Sequence, residues 1–261
     1  MAGIGEFVGT VSPQAVRLFC SVLGQDWIPY PFLSYPGRDV TLEQLEAEFA
    51  RIRQDWDHEP PREFDDWART SIRPDLRIEA VATDPRPDVN PTKKSIRVNG
   101  VRRHDLGFVA VQETEDGIPS GDISVYAMNA VDLGRAVVDA MPTQTVATEP
   151  VGDLFLLEPA QERRQSLYDD ERSDDWDAEL RRVLGSEICR SGFVQVRDGR
   201  ANEWKLDSTA SRLIWADYQE FGRYLWGRGE SALAVNRQRM ISELNAVLGT
   251  LVDAIRERRG G

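Results

Sequence analysis

Apolar residues recur every three to four positions near the end of the chain, where Met240, Ile241, Leu244, Val247, Leu248, Leu251, Val252 and Ile255 form one stripe. That spacing predicts a long helix with one buried face. Asn236 stands at its N-cap, and the arginines of 256–259 lie at the end where the helix dipole favours cations. Upstream the period shortens to two. Residues 213–218 and 221–226 read as aromatic-rich strands joined by Gln219-Glu220, and Asp198-Gly199 predicts a tight hairpin turn between two earlier strands. The same order occurs at 75–141, with strands over 76–82, 95–103, 107–114 and 122–128 and a helix over 130–141. That helix bears Val131, Leu133, Val137, Val138 and Met141, is capped by Asn129 and is stopped by Pro142. The stretch ISVYAMNAVDLGRAVV can be laid beside ALAVNRQRMISELNAV. Four strands and a helix, occurring twice, predict an α+β fold of two pseudo-twofold halves. Each half is an antiparallel meander plus helix around a central antiparallel sheet.

The N-terminal third adds a strand over 6–11 and a helix over 13–23 that Ser12-Pro13 opens and Gly24 stops. Residues 26–38 carry three prolines and several aromatics and read as an extended segment packed across the core, with an exposed partner patch as the alternative. Thr41 and Gln44 form a capping box for a helix over 41–57, whose Leu42, Leu45, Phe49, Ile52 and Trp56 share one face. Pro60-Pro61 ends it, and 63–71 reads as a short helix presenting Phe64 and Trp67. The chain is thus a single domain, 1–261. Its N-terminal half is 1–142, a linker with an inserted acidic helical region covers 143–185, and the C-terminal half is 186–261. The acidic segment 166–179 reads as part of a solvated helical hairpin, with a docking surface for a helical partner as the alternative.

Composition narrows the functional classes. The 261 residues are 41% hydrophobic with seven tryptophans, enough for a sizeable core. No apolar run reaches the roughly 20 residues of a membrane span, and the N-terminus lacks a basic-then-apolar leader, so the expected location is the cytoplasm with no membrane insertion. A formal charge of -12 repels phosphate backbones and argues against nucleic-acid binding. Cys20 and Cys189, the two cysteines, belong to no CxxC and read as reduced thiols.

Catalytic chemistry is sparse. His58 and His104 have no metal-ligand spacing around them, so no metal and no cofactor is expected, and glycine-rich phosphate cradles are absent. Asp217, between Trp215 and Tyr218, is the strongest candidate for a perturbed acid, but a pairing with Arg223 is the simpler reading. An acid/base hydrolase using Asp217 with His104 is the enzymatic alternative. The basic residues Lys93, Lys94, Arg97, Arg102 and Arg103 read as the solvated face and turn of one hairpin.

IRVNGVRRHDLGFVAVQ (96–112), DLGRAVVDAMP (132–142) and above all LIWADYQEFGRYL (213–225) resemble the EspG family, cytosolic chaperones of mycobacterial and related actinobacterial type VII (ESX) secretion. Trp215, Asp217, Gly222, Arg223 and Tyr224 match that family's C-terminal signature. The resemblance implies two pseudo-symmetric halves around an antiparallel sheet, no enzymatic activity, and a protein client. Family members bind the helical tip of PPE proteins, keep the PE–PPE pair soluble and direct it to the secretion machinery, whose components are further partners. Their contacts come from the loop between the second and third strands and from the C-terminal helical region. Here that loop is 84–94, with Pro85, Arg86, Pro87, Asp88, Val89, Asn90 and Pro91 as the partner-binding residues. A proline-restricted loop loses less entropy on docking than a glycine-rich one. An adaptor or regulator with the same fold and another client is the remaining alternative.

Overall fold

The computed structural model describes residues 3–34, 41–56, 62–83, 95–113, 121–143, 154–155, 187–199, 210–219, 221–226 and 231–260. In chain order the elements are β1 (Glu6–Val11), α1 (Pro13–Val22), α2 (Leu42–Trp56), α3 (Arg62–Ile72), β2 (Leu76–Thr83), β3 (Ser95–Arg103), β4 (Leu106–Glu113) and β5 (Ile123–Asn129). A 3-10 turn (Ala130–Asp132) then leads into α4 (Leu133–Ala140), followed by β6 (Leu154–Phe155), β7 (Ile188–Asp198), β8 (Ser211–Tyr218), β9 (Gly222–Trp226), β10 (Ser231–Ala234) and α5 (Arg237–Gly260). The strands form one antiparallel sheet in the order β1-β5-β4-β3-β2-β7-β8-β9-β10-β6. The anticipated meander-plus-helix plan is therefore present in both halves, and the two meanders join edge to edge through β2 and β7.

The hydrogen-bond register fixes the pseudo-twofold. Arg103↔Leu106 closes the β3–β4 hairpin and Tyr218↔Gly222 closes β8–β9. Counting three residues inward from each closing pair sets Gly100↔Val109 against Trp215↔Leu225. The neighbouring partners of those two positions are Ile78 and Gly192. Carried through β2 and β7, the same relation makes Ala80 equivalent to Val194, its own bonded partner, so the axis passes through that pair. The duplication extends to the edges, because β1 flanks β5 as the short β6 flanks β10. Continued to the helix starts, the register aligns Asn129 with Asn236, two residues away from the alignment made on sequence.

One face of the sheet carries α4 and α5. Alternation along the strands sends Ile78, Val98, Val109, Val194, Leu213, Trp215 and Leu225 to this side, where they pack with Leu133, Val137, Met240 and Leu244. The helices approach closely at Gly134, where an added Cβ would meet Asn245 and lie 3.0 Å from Leu248 Cδ1. Arg237 pairs with Asp139 across the same crossing. The opposite face of the first half is covered by α1, α3 and the segment 25–34. Val16, Cys20, Ile28, Phe32 and Trp67 there bury Val101, Phe108, Ala110, Ile123 and Val125. Helix α2 packs outside α1, through Ile52 against Ala15 and Leu18.

Local signals act largely as the sequence indicates. Ser12 Oγ accepts from Ala15 N–H, and Gly24 stops the first helix with φ +77°. Thr41 and Gln44 bond each other's N–H reciprocally, and Asn236 Oδ1 accepts from Arg239 N–H at 2.8 Å. Four readings are corrected. Asn129 precedes α4 without a side-chain capping bond, because the chain enters through the 3-10 turn instead. Leu42 and Val131, assigned to buried faces, are 71% and 86% exposed, since Leu42 is the first residue of α2 and Val131 lies in the 3-10 turn ahead of α4. Asp198-Gly199 is not a two-residue hairpin turn: Val196 pairs with Ser211, so the connection spans residues that lie mostly outside the described ones. Gly199 is instead pressed onto the Pro74 backbone, and its N–H donates to Asp75 O at 2.9 Å. Arg97 does not lie on a solvated face, for it is half-buried and donates to Pro31 O at 3.1 Å.

Candidate functional site

Strands β2 and β3 pair without interruption from Leu76↔Arg102 to Thr83↔Ser95. The chain between them, 84–94, is thus launched from the middle of a ten-stranded sheet, beside Ser191 at the start of β7. Residues Pro85, Arg86, Pro87, Asp88, Val89, Asn90 and Pro91 lie outside the described residues, as do Lys93, Lys94, His58 and the acidic segment 166–179. What is described is the platform that carries the loop.

Close to the same end of the sheet stands the signature hairpin. Asp217 and Arg223 are cross-strand partners on β8 and β9, and their side chains form a two-pronged ion pair, Nε–Oδ1 2.6 Å and Nη2–Oδ2 2.9 Å. Both are buried. The guanidinium also lies 4.1 Å from the Trp215 ring centroid and donates from Nη2 to Pro142 O at 3.0 Å. Both carboxylate oxygens and two of the three guanidinium nitrogens therefore have partners, the condition under which a buried ion pair holds a structure in place. Gly222 supplies φ +79° for the turn. Tyr224, pointing to the other face, stacks edge-on with Tyr218 at 6.0 Å. Because Pro142 follows α4, the hairpin of the second half is clamped to the helix of the first. The five signature residues build a joint; none presents a reactive group to solvent.

A second charged group lies at the β2–β7 seam, and the sequence reading missed it. Glu79 is fully buried, accepts a hydrogen bond from Gln195 and lies 3.5 Å from Arg197 Nη1. Burial is the main force holding its carboxyl above the usual range, opposed by Gln195, Arg197 and Arg77. Arg77, also buried, is pushed down for the same reason. The extended segment crosses this face: Asn99 Nδ2 donates to Tyr30 O at 2.6 Å, and Gln112 bonds the main chain of Leu33 in both directions. Its reading as a strap over the core thus holds for 26–34. The signal available in the sequence was alternation itself, since Arg77, Glu79, Gln195 and Arg197 are polar positions of otherwise apolar strands. Alternation sends them together to one face without saying whether that face is wet.

The proposed Asp217–His104 pair does not form. His104 sits exposed at the β3–β4 tip with φ +58°, its N–H donating to Asp75 Oδ2 at 2.7 Å. Leu76 and Asp198 mark that end of the sheet, whereas Asp217 pairs beside Arg190 at the other. Among the described residues no three His, Cys, Asp or Glu side chains converge as a metal site. Neither cysteine is in a disulfide; Cys20 is buried, and burial pushes its thiol up to about 12. No helix among the described residues is long and apolar enough to cross a membrane.

Comparison with known proteins bears on the same elements. A search of curated proteins gave no match. Among solved structures, the chain is similar to the type VII secretion system chaperone EspG5 of Mycobacterium tuberculosis, solved in complex with the PE25-PPE41 dimer. The identity is 13%, the match covers 92% of this chain and 95% of that one, and the TM-score is 0.50. A crystal structure of an N-terminal dehydratase from the difficidin assembly line matches at 10% identity over 78% and 87% of the two chains, with a TM-score of 0.10 that carries no structural meaning. The model of the EspG family matches residues 12–236, which include β2 to β10, the joint at Asp217–Arg223 and the segment 84–94. This chain therefore belongs to the EspG family.

Proposed function

We propose that this protein is a non-catalytic, cytosolic secretion chaperone. It binds a PPE-like client through the exposed helical tip, keeps that client soluble, and directs it to a type VII secretion system. Family membership over 12–236 carries the reading. The shared fold of the EspG5 chaperone, whose solved complex holds a PE–PPE pair, supports it. The architecture adds a physical rationale. A loop launched from the centre of a wide sheet is held at its base by bonded strands on both sides, so its ends stay fixed on docking. An apolar helix tip left in water is an aggregation hazard, and a groove that covers it removes the hazard. The client surface comprises residues 85–91 of the loop together with the C-terminal helix α5.

Replacing residues 85–91 by a short glycine–serine link tests this. The variant is expected to unfold at the wild-type urea midpoint and to lose its client in a pull-down. The complex lost would be one burying roughly 1,200–2,000 Å². Normal client capture by the variant removes the loop from the docking surface. A captured partner without a helical tip assigns the chain to the adaptor reading instead.

A further inference from the structure

At the end of the sheet away from the loop 84–94, where Leu76 pairs with Arg102, the pseudo-twofold breaks down. The register that aligns Asn129 with Asn236 sets Ala130 against Arg237. Arg237 closes the helix crossing at its own end by pairing with Asp139, whereas Ala130 has no group to do so. Helix α5 also outruns its counterpart. α4 ends at Ala140, the equivalent of Val247, so residues 248–260 of α5 have no match in the first half. Between that extension, the 3-10 turn and the β3–β4 tip a groove of about 470 Å³ is left open. Val252 and Ile255 form its apolar wall and are only half-buried. Val131 stands on its rim with its side chain in water.

Charge indicates what fits there. At a formal charge of -12, two copies of this chain repel one another over most of their surfaces. The groove is neutral by contrast, with Asp75 and Asp105 set against Arg102 and Arg256. Asp75 accepts from His104 N–H and Arg102 donates to His104 O, so both are engaged at the tip. The Asp105 carboxylate has no partner among the described residues. Arg256 makes one contact of 3.4 Å to Asp253, between two largely exposed side chains. An available anion and cation, with an apolar knob beside an apolar groove, make this patch complementary to itself. That is the requirement of a twofold interface, where residue i contacts j and j contacts i.

We propose that two copies of this chain associate through this end of the sheet as a reversible twofold dimer. Val131 of each copy enters the groove of the other against Val252 and Ile255, and Asp105 of each faces Arg256 of the other. One knob and one ion pair per copy place the contact among small, weak interfaces. The loop 84–94 lies at the opposite end in both copies, and the inference does not rest on the chaperone reading.

Sedimentation velocity of the full chain alone, over a concentration series, tests this. Wild type is expected to pass from monomer to dimer as concentration rises. Val131→Asp should raise the dimer Kd by about tenfold or more and leave the urea midpoint unchanged, because that side chain is already exposed in the monomer. Arg256→Asp and Asp105→Arg each set like charges opposite one another and should each weaken the dimer about tenfold. The double variant keeps the net charge and should return to within about twofold of wild type. Wild type that stays monomeric at every concentration overturns the proposal. So does a dimer that Val131→Asp leaves unchanged, or a double variant that associates no more tightly than the single ones.

Discussion

The two halves share every strand connection and differ in how they fill the space beneath their helices. In the first, Ile78 lies beside Gly100, and a Cβ on Gly100 would come within 2.8 Å of Val137 Cγ2, so α4 rests directly on the strand. In the second, the equivalent pair is Gly192 beside Trp215, with a Cβ on Gly192 lying 2.8 Å from the indole. Bulk has changed strands while the pair stays a large residue beside none. The next position inward from the hairpin tip diverges further: where the second half has the Asp217–Arg223 clamp, the first has Arg102 paired with Gly107. The opposite face differs too. Asn99 is buried beneath Tyr30, whereas its counterpart Ile214 is 48% exposed. Topology is thus conserved between the copies by backbone bonding, while packing, which individual side chains decide, has drifted.

Removing Asp217 probes that difference at its largest. Asp217→Ala strands a buried guanidinium and is expected to destabilise by about 3–5 kcal/mol. Arg102→Ala at the matching position removes one bond from Nε to His104 O, 3.0 Å long, and should cost no more than about 1 kcal/mol. Urea titration of the two variants decides; similar losses would mean that the halves are held alike. The helix starts give a smaller contrast. Asn236→Ala should cost about 1 kcal/mol and Asn129→Ala close to nothing, since one side chain caps and the other does not.

The seam between the halves gives a pH effect. Burial raises the folded-state pKa of Glu79, so its contribution to stability is complete below the unfolded carboxyl value and declines as pH rises through the folded one. Stability measured from pH 4 to 7 should show this fall in wild type, and Glu79→Gln should remove it. An unchanged profile in the variant would place the responsible group elsewhere.

Much of this was legible because it rests on periodicity and capping. The stripe from Met240 to Ile255 and the alternation of β2 to β5 each state one face, and Asn236, Ser12 and Thr41–Gln44 state where helices begin. Three things were not. β6 is two residues long, too short for alternation to register. The sequence alignment of the copies lay two residues from the register, because backbone pairing sets the equivalence and the side chains of the two helix starts do not repeat it. The buried charges at Glu79 and Arg197 went unread, since a strand's period gives side but not cover. At the site, the pairing of Asp217 with Arg223 could be read from the sequence, and its hold on Pro142 could not, being a contact 81 residues apart.

The central claim is that the loop launched from β2 and β3, together with α5, grips the client. Hydrogen exchange of the full chain, alone and with a client co-purified from its native host, addresses it directly. The account predicts that slowed exchange is concentrated in 84–94 and along α5, while the β8–β9 joint is protected equally in both states. Protection confined to α1–α3, with 84–94 exchanging as fast as in the free chain, would contradict it.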